Sequence, residues 1–129
     1  MVKEILIVDD EPNVVVPIQF LMEQHGYRVM TAERGEDALD LVYRYKPDLV
    51  ILDILLPGID GYEVCEIIRL DANCREVKII FLTARDREVD IAKGLSLGAD
   101  AYITKPFSNT ELVTKVRNLL EETKEVARK

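Results

Sequence analysis

The sequence is poor in the side chains that bind soft metal ions or form disulfide frameworks. Its 129 residues include two cysteines, Cys65 and Cys74, and one histidine, and no Cys-x-x-Cys pair occurs. Zinc would therefore find too few ligands. A reduced protein with two plain thiols is favoured over one with a disulfide between Cys65 and Cys74.

Long hydrophobic runs are also missing. The first apolar run follows Lys3 and Glu4 and stops at Asp9, which is not the pattern of a signal peptide. No uninterrupted apolar run approaches the length needed to cross a membrane. We therefore expect a cytoplasmic protein without membrane contact. The glycine-rich signatures of dinucleotide and nucleoside triphosphate sites are absent too, which disfavours those ligands.

Basic residues are in the minority. The chain has 17 lysines and arginines against 24 aspartates and glutamates, and its formal net charge is −7. That balance argues against direct binding of nucleic acid by this domain. Hydrophobic residues make up 48% of the chain, enough to form a core. The length predicts one domain, which we assign to residues 1–122, with residues 123–129 as the end of the last helix or the start of a linker.

Five short apolar runs alternate with segments of helical spacing. Three of the runs are nearly continuous valine, isoleucine and leucine, typical of strands buried on both faces of a parallel sheet. The predicted strands are Ile5–Val8, Tyr27–Ala32, Leu49–Asp53, Ile79–Thr83 and Ala101–Thr104. The predicted helices are Pro12–His25, Gly35–Tyr45, Gly61–Leu70, Arg87–Leu97 and one that begins after Ser108. We predict an α/β fold, a doubly wound, flavodoxin-like three-layer sandwich whose five-stranded parallel sheet has the order 2-1-3-4-5.

Polar side chains follow the predicted strands where each one ends. Asp9 and Asp10 follow the first strand, Asp53 ends the third, Thr83 ends the fourth and Lys105 follows the fifth. The carboxyl ends of parallel strands meet at one edge of a sheet, where ligands of such folds bind. Clustered carboxylates repel one another unless a cation is present, and this set of hard ligands suits Mg²⁺. A carboxylate, a metal ion, a lysine and a hydroxyl together indicate a phosphoryl site on an aspartate.

With these residues the sequence resembles the receiver domain of bacterial two-component response regulators. The matching motifs are VDDEP, LDILLPGIDGYE, LTA, GADAYITKPF and the terminal ELVTKVRNLL. Each motif alone is weak, but five in order at the right spacing are specific. The resemblance extends over essentially the whole chain.

The resemblance implies that Asp53 accepts a phosphoryl group from a phosphohistidine of a sensor kinase or phosphotransfer protein. By the same analogy Asp10, Asp53 and the main-chain carbonyl of Leu55 bind Mg²⁺, and Asp9 assists through water. The position two residues beyond the acceptor, Leu55, and the position two beyond the threonine, Arg85, tune how fast water removes the phosphoryl group in this family. Leu55 and Arg85 predict slow self-dephosphorylation.

The resemblance also assigns the remaining polar residues. Lys105 contacts a phosphoryl oxygen, and the Lys105–Pro106 peptide bond is expected to be cis. Thr83 bonds the phosphoryl group after transfer, and Tyr102 turns inward as Thr83 moves. These changes alter the face made by helix 4, strand 5 and helix 5, which controls an output domain or a downstream protein.

Winged-helix regulators of this family dimerise through that face with three cross-subunit charge pairs. Two of the pairs are retained and one is lost because position 101 is alanine, so we expect a monomer at rest and at most a weak phosphorylation-dependent dimer. The corresponding positions are Lys93 with Glu111, Asp100 with Arg117, and Ala101 with Lys115.

Three other functions compete with the signalling switch. A Mg²⁺-dependent phosphohydrolase with an aspartate nucleophile typically needs a second aspartate where Leu55 stands, so the chain lacks its proton-transfer group and we expect no enzyme. A flavin-binding module has no characteristic sequence motif, so the sequence alone does not decide for or against it. A receiver-like scaffold that is never phosphorylated is disfavoured by the full set of site residues. His25 lies just before Gly26 and is assigned to a helix end rather than to phosphotransfer.

Overall fold

Strands and helices alternate regularly along the part of the chain that the computed structural model describes, which is residues 2–128, with side chains for residues 2–121. The strands are β1 (Glu4–Val8), β2 (Arg28–Ala32), β3 (Leu49–Leu52), β4 (Lys78–Thr83) and β5 (Ala101–Thr104). The helices are α1 (Pro12–Gln24), α2 (Gly35–Tyr45), α3 (Gly61–Leu70), α4 (Glu88–Ser96) and α5 (Asn109–Arg128). A short 3₁₀ helix at Ala72–Cys74 precedes β4.

All neighbouring strands pair in parallel, in the order β2-β1-β3-β4-β5. This order confirms the predicted doubly wound, flavodoxin-like sandwich. Val8 pairs with Leu52, Leu52 pairs with Phe81, and Thr83 pairs with Thr104. β1 and β3 therefore end together, and β4 and β5 end together two residues farther along, so the residues that follow these strands meet at one edge of the sheet.

The continuous apolar runs reflect burial on both faces of the sheet, because successive side chains of a strand point to opposite faces. One face packs against α2 and α3 and the other against α1 and α5, and each forms its own core. Buried strand residues of the first core are Leu6, Val8, Ala32, Val50, Leu52, Ile79 and Phe81. Those of the second are Ile5, Ile7, Leu49, Ile51, Ile80, Leu82, Ala101 and Ile103.

The predicted element boundaries agree with the structure to within one residue at nearly every end. Asp53 lies just beyond β3 rather than inside it. The 3₁₀ helix was not predicted; the side chain of Asp71 caps it by accepting a hydrogen bond from the backbone N–H of Asn73 at 2.8 Å. Helix α1 continues through Pro17. The Ser108 hydroxyl accepts a hydrogen bond from the Glu111 N–H at 3.0 Å, which confirms Ser108 as the cap of α5.

Two further expectations concern the whole chain. None of the helices within residues 2–128 is both long and apolar enough to span a membrane. The proposed division at residue 122 falls within α5 where side chains lie outside the described residues, and it stays a prediction.

Gly61 brings the start of α3 against the backbone that carries Asp53. Its N–H donates a hydrogen bond to the carbonyl of Ile54 at 2.9 Å. A Cβ atom at this position would overlap the carbonyl oxygen of Asp53 and lie 2.8 Å from the Cα of Ile54. Because these neighbours are backbone atoms of a buried segment, only a glycine permits this approach.

We predict that Gly61→Ala lowers the free energy of unfolding by about 2–3 kcal/mol, because the added methyl group must displace the Asp53–Ile54 backbone. Gly26→Ala is the control, since Gly26 has a φ of +88° but no atom within 4 Å of an added Cβ. It should cost only about 1 kcal/mol, the strain of the left-handed conformation. Urea unfolding of both variants measures the difference. Equal losses would contradict the close approach at Gly61.

Candidate functional site

One lysine lies between two buried aspartates at the carboxyl edge of the sheet. The Nζ atom of Lys105 is 3.0 Å from Oδ2 of Asp9 and 3.2 Å from Oδ2 of Asp53. Asp9 is 3% exposed and Asp53 is 4% exposed. The peptide bond between Lys105 and Pro106 is cis, as the resemblance implied.

The second oxygen of each aspartate is held by the backbone of its own loop. Oδ1 of Asp9 accepts a hydrogen bond from the N–H of Glu11 at 2.9 Å, and Oδ1 of Asp53 accepts one from the N–H of Leu55 at 3.1 Å. Both carboxylates thus use one oxygen for a turn after the strand and direct the other at Lys105. This common arrangement fixes the orientation of the two carboxylates.

Burial and charge act against each other at this site. Burial raises the pKa of Asp9, while the backbone N–H of Glu11 and the ammonium group of Lys105 oppose the rise. Burial alone would lower the pKa of Lys105, but the hydrogen bonds and charges of Asp9 and Asp53 outweigh it, and the pKa is raised. Lys105 is therefore held firmly as a cation.

A third acid, Glu11, lies close to the two aspartates. It was not predicted from the sequence to be a site residue. Carboxylate oxygens of Asp9, Glu11 and Asp53 all lie within 4.8 Å of one another. Asp10, the predicted direct ligand, is exposed and is not a member of this group. Residues two apart in an extended segment point to the same side, which accounts for the grouping of Asp9 with Glu11. The run of three adjacent acids marked this loop, but not which of its members would face the site. Asp10 as a metal ligand stays a prediction.

The donor set at this edge fits a hard divalent cation. Carboxylate oxygens are the preferred ligands of Mg²⁺ in proteins, and the group has no soft ligand. Three carboxylates facing one lysine leave an excess of two negative charges, which one divalent ion would offset. The Lys105 Nζ atom is 3.9 Å from Glu11, whose side chain is 65% exposed, so an ion could enter from that side.

Thr83 ends β4 on the same edge and is fully buried. Its Oγ1 atom accepts a hydrogen bond from the N–H of Arg85 at 3.4 Å. The hydroxyl is therefore tied to the first turn of the segment that leads to α4. A change in the bonding of Thr83 would act directly on that segment.

Tyr102 on β5 reaches the same segment from the other side. Its hydroxyl donates a hydrogen bond to the carbonyl of Arg85 at 2.8 Å, and its ring centroid lies 5.9 Å from that of Phe81. Burial raises the pKa of Tyr102 well above its ordinary value, and the nearby Tyr62 and Asp90 act in the same direction. The phenol is thus a protonated donor, and the side chain is turned inward.

Asp90 organises the beginning of α4 and was not identified from the sequence. It is 6% exposed, and its carboxylate accepts two hydrogen bonds from Arg87, at 3.1 and 3.4 Å. Arg85 approaches it to 3.7 Å, and the Asp90 carbonyl accepts a hydrogen bond from the Tyr62 hydroxyl at 3.1 Å. The hydrogen bonds from Arg87 lower the pKa of Asp90. A sequence rich in charge gives no signal that one aspartate among many is buried.

The residues assigned to minor roles behave as expected. Cys65 and Cys74 are free and buried, and burial raises the pKa of the Cys65 thiol to about 11. The Nδ1 atom of His25 lies 3.0 Å from the carbonyl oxygen of Leu21 at the end of α1, which confirms the helix-end assignment.

The arrangement suits transfer of an anionic group to a carboxylate. Asp53 presents an oxygen toward a cation, which would also attract a phosphoryl oxygen, and Thr83 offers a buried hydroxyl nearby in the sheet. The position two residues after Asp53 carries Leu55, an apolar side chain that is 48% exposed and cannot transfer a proton.

The chain is similar to proteins of known class. Residues 5–117 match the family described as response regulator receiver domain. A putative response regulator from Chloroflexus aurantiacus J-10-fl is 38% identical, with a TM-score of 0.89 over 93% of this chain and 98% of that one. The BeF₃-activated DrrB receiver domain is 35% identical, with a TM-score of 0.86 over 94% and 99%. The BeF₃-activated N-terminal receiver domain of Klebsiella pneumoniae RstA is 34% identical, with a TM-score of 0.85 over 92% and 98%.

We predict that Lys105→Met lowers the free energy of unfolding at pH 7 by about 3 kcal/mol, because it leaves the buried carboxylates of Asp9 and Asp53 without their cation. The loss should shrink as the pH falls toward the ordinary aspartate value of 3.8. Without Lys105 the pKa of Asp9 rises further, so the folded variant binds protons more readily than the unfolded chain and gains stability on acidification.

Urea unfolding between pH 7 and pH 4 measures this effect. Lys115→Met, at an exposed position of α5, is the matched control and should change stability little at any pH. A loss in Lys105→Met that stays constant with pH would contradict the role of Lys105 as the counter-ion.

Proposed function

This chain belongs to the response regulator receiver domain family, the phosphorylation-dependent switches of two-component systems, and from this membership we propose that Asp53 is its phosphoryl acceptor. The observation that carries the proposal is the 3.2 Å approach of Lys105 to an oxygen of Asp53 at the carboxyl edge of the sheet. Asp9 makes the same contact, but it lies at the end of β1 and shares its loop with two further acids, Asp10 and Glu11.

The transfer itself follows from the arrangement of charges. An oxygen of the Asp53 carboxylate forms a bond to phosphorus while the phosphorus–nitrogen bond of a phosphohistidine breaks, and the imidazole leaves with the electron pair and takes up a proton. Lys105 holds a phosphoryl oxygen during and after the transfer, because its pKa is raised and it stays charged. Each chain accepts one phosphoryl group and keeps it after the transfer. The chain therefore has two states, unmodified and phosphorylated, and acts as a switch.

The divalent ion would be held by oxygen ligands of the same edge. The grouping of Asp9, Glu11 and Asp53 supports this, and the family resemblance adds Asp10 and the carbonyl of Leu55. When bound, Mg²⁺ offsets the charge of the carboxylates and the incoming phosphoryl group. Without such a cation, a phosphoryl dianion would meet a site that already has an excess of negative charge.

Thr83 and Tyr102 are proposed to carry the signal away from Asp53. Thr83 is bonded to the N–H of Arg85, and Tyr102 is bonded to the carbonyl of the same residue. A phosphoryl group that attracts the Thr83 hydroxyl therefore pulls on a segment that Tyr102 also holds. The change can shift an output only because the two arrangements of α4, β5 and α5 differ in their affinity for the phosphorylated site.

We expect the partners to be a sensor histidine kinase or a phosphotransfer protein, and an output domain or downstream protein. A weak phosphorylation-dependent dimer would use the face made by α4, β5 and α5. In the structure Asp100 already pairs with Arg69 of its own chain at 2.9 Å, and Lys93 lies 4.4 Å from the Tyr62 ring centroid. Because these contacts compete with cross-subunit pairs, they support a monomer at rest.

We predict that the protein gains one phosphoryl group when incubated with acetyl phosphate and Mg²⁺, and that it gains none when the metal is removed by a chelator. Intact-mass spectrometry measures the addition. Asp53→Asn should abolish it because the amide is not a nucleophile of this kind. Asp48→Asn, at the opposite end of β3, is the matched control and should react normally. Phosphorylation of Asp53→Asn would refute the assignment.

We further predict slow self-dephosphorylation. Leu55 cannot orient an attacking water, and the guanidinium of Arg85, two residues beyond Thr83, pairs with Asp90 at 3.7 Å and cannot act as a base toward water. The double variant Leu55→Asn with Arg85→Glu should lose its phosphoryl group about tenfold faster, since it gains groups that can position water. Leu70→Asn, on the exposed end of α3, is the control. Decay that is unchanged or slower in the double variant would show that these two side chains do not set the lifetime.

A further inference from the structure

A glycine inside α4 faces two aromatic rings of the switch region. Gly94 is buried in the last part of Glu88–Ser96. A Cβ atom built on it would lie 3.0 Å from Cδ2 of Phe81 and 3.1 Å from Cδ2 and Cε2 of Tyr102. Glycine in a helix interior is less favourable than alanine by about 1 kcal/mol, so the position gives up helix stability. Because Gly94 has no side chain, the rings of Phe81 and Tyr102 can occupy the space that a Cβ atom would take.

The two rings differ in their freedom to move. Phe81 is fully buried in the middle of the sheet, and its ring also packs edge-on against Tyr62, with centroids 5.7 Å apart. Tyr102 is half-buried on β5, which is an edge strand. Because protein interiors are close-packed, Phe81 would give little, so a methyl group at position 94 would require a small shift of α4 away from Phe81 together with rotation of the Tyr102 ring toward solvent.

Such a rotation would not stay local. The hydroxyl of Tyr102 donates a hydrogen bond to the carbonyl of Arg85, and the N–H of Arg85 donates one to the hydroxyl of Thr83. Turning the ring outward would break the first of these bonds. The segment immediately after Thr83 would then lose the contact that ties it to β5.

We propose that Gly94 is a positioning residue that keeps Tyr102 turned inward, and that it thereby favours the arrangement of the Arg85 segment that accompanies phosphorylation of Asp53. The first half concerns packing alone. The second half rests on the proposed function, because it assumes that Thr83 responds to a phosphoryl group on Asp53.

The orientation of Tyr102 tests the first half without any phosphoryl donor. In the unmodified protein, nuclear Overhauser effects should connect the ring of Tyr102 with the ring of Phe81. In Gly94→Ala these cross-peaks should be lost, although alanine is the better helix former. Ala92→Gly, at an exposed position of the same helix, is the matched control and should keep them. Retention of the cross-peaks in Gly94→Ala would overturn the proposal.

A double variant separates crowding from a general loss of structure. When Tyr102→Ala has removed the ring, Gly94→Ala should change the melting temperature more favourably than it does in the presence of Tyr102, because two of the three close contacts of the methyl group are gone and only the one with Phe81 at 3.0 Å remains. In the presence of Tyr102 the methyl group meets both rings, so the same substitution should raise the melting temperature less or lower it more. If Gly94→Ala changes the melting temperature equally in both backgrounds, the two residues are not coupled and the proposal fails.

Beryllofluoride binding tests the second half. Gly94→Ala should bind beryllofluoride with Mg²⁺ between about two and ten times more weakly than the unmodified protein, the range expected for one lost hydrogen bond. Equal affinity would overturn the link between Gly94 and the phosphorylated arrangement. If the unmodified protein does not bind beryllofluoride at all, the proposed function fails, while the cross-peaks still decide the role of Gly94 in packing.

Discussion

The ammonium group of Lys105, held between Asp9 and Asp53, is the interaction on which the site depends. Two carboxylates within 4.8 Å of each other repel by roughly 3 kcal/mol at an effective dielectric near 20, and both are almost fully buried. The ammonium charge of Lys105 offsets the repulsion between the two carboxylates and part of the cost of burying them. The three residues come from the ends of β1, β3 and β5, so the contact forms only when the parallel sheet has its full order. Gly61 then keeps α3 close to the backbone of Asp53.

The balance between Lys105 and the carboxylates also determines which ligands the site would attract. One lysine does not offset three carboxylates, and the remaining negative charge gives the edge an affinity for a divalent cation. A phosphoryl group on Asp53 would bring further charge, which Lys105 and the metal ion would share. Under the proposed function the signal would have a short physical route, since Thr83 bonds to the N–H of Arg85 and Tyr102 bonds to the carbonyl of the same residue.

Packing determines how that segment is held. Tyr62, Phe81 and Tyr102 form a row of contacting rings beneath α4, and Gly94 leaves the space in which Tyr102 lies inward. Asp90 fixes the start of α4 through Arg87. Helix α4 is thus held at its beginning by the ion pair of Asp90 with Arg87 and along its length by contacts with aromatic rings.

Much of the fold could be predicted because the strands are buried on both faces. A short continuous apolar run such as Leu49–Leu52, bounded by polar residues, is typical of a central parallel strand, and the polar residues that follow such strands meet at the carboxyl edge. The presence of Glu11 rather than Asp10 in the carboxylate group could not be predicted with the same ease, because three adjacent acids have no preferred side until the backbone conformation is known. The burial of Asp90 depends on the packing of α4 against Tyr62, which is a property of the tertiary structure alone.

The most direct test of this account is to locate the phosphoryl bond. After reaction with acetyl phosphate and Mg²⁺, borohydride reduction converts an aspartyl phosphate to homoserine, and peptide mass spectrometry identifies the converted residue. We expect homoserine at position 53 and unmodified aspartate at positions 9 and 10. Conversion of Asp9 or Asp10, or of no aspartate at all, would contradict it.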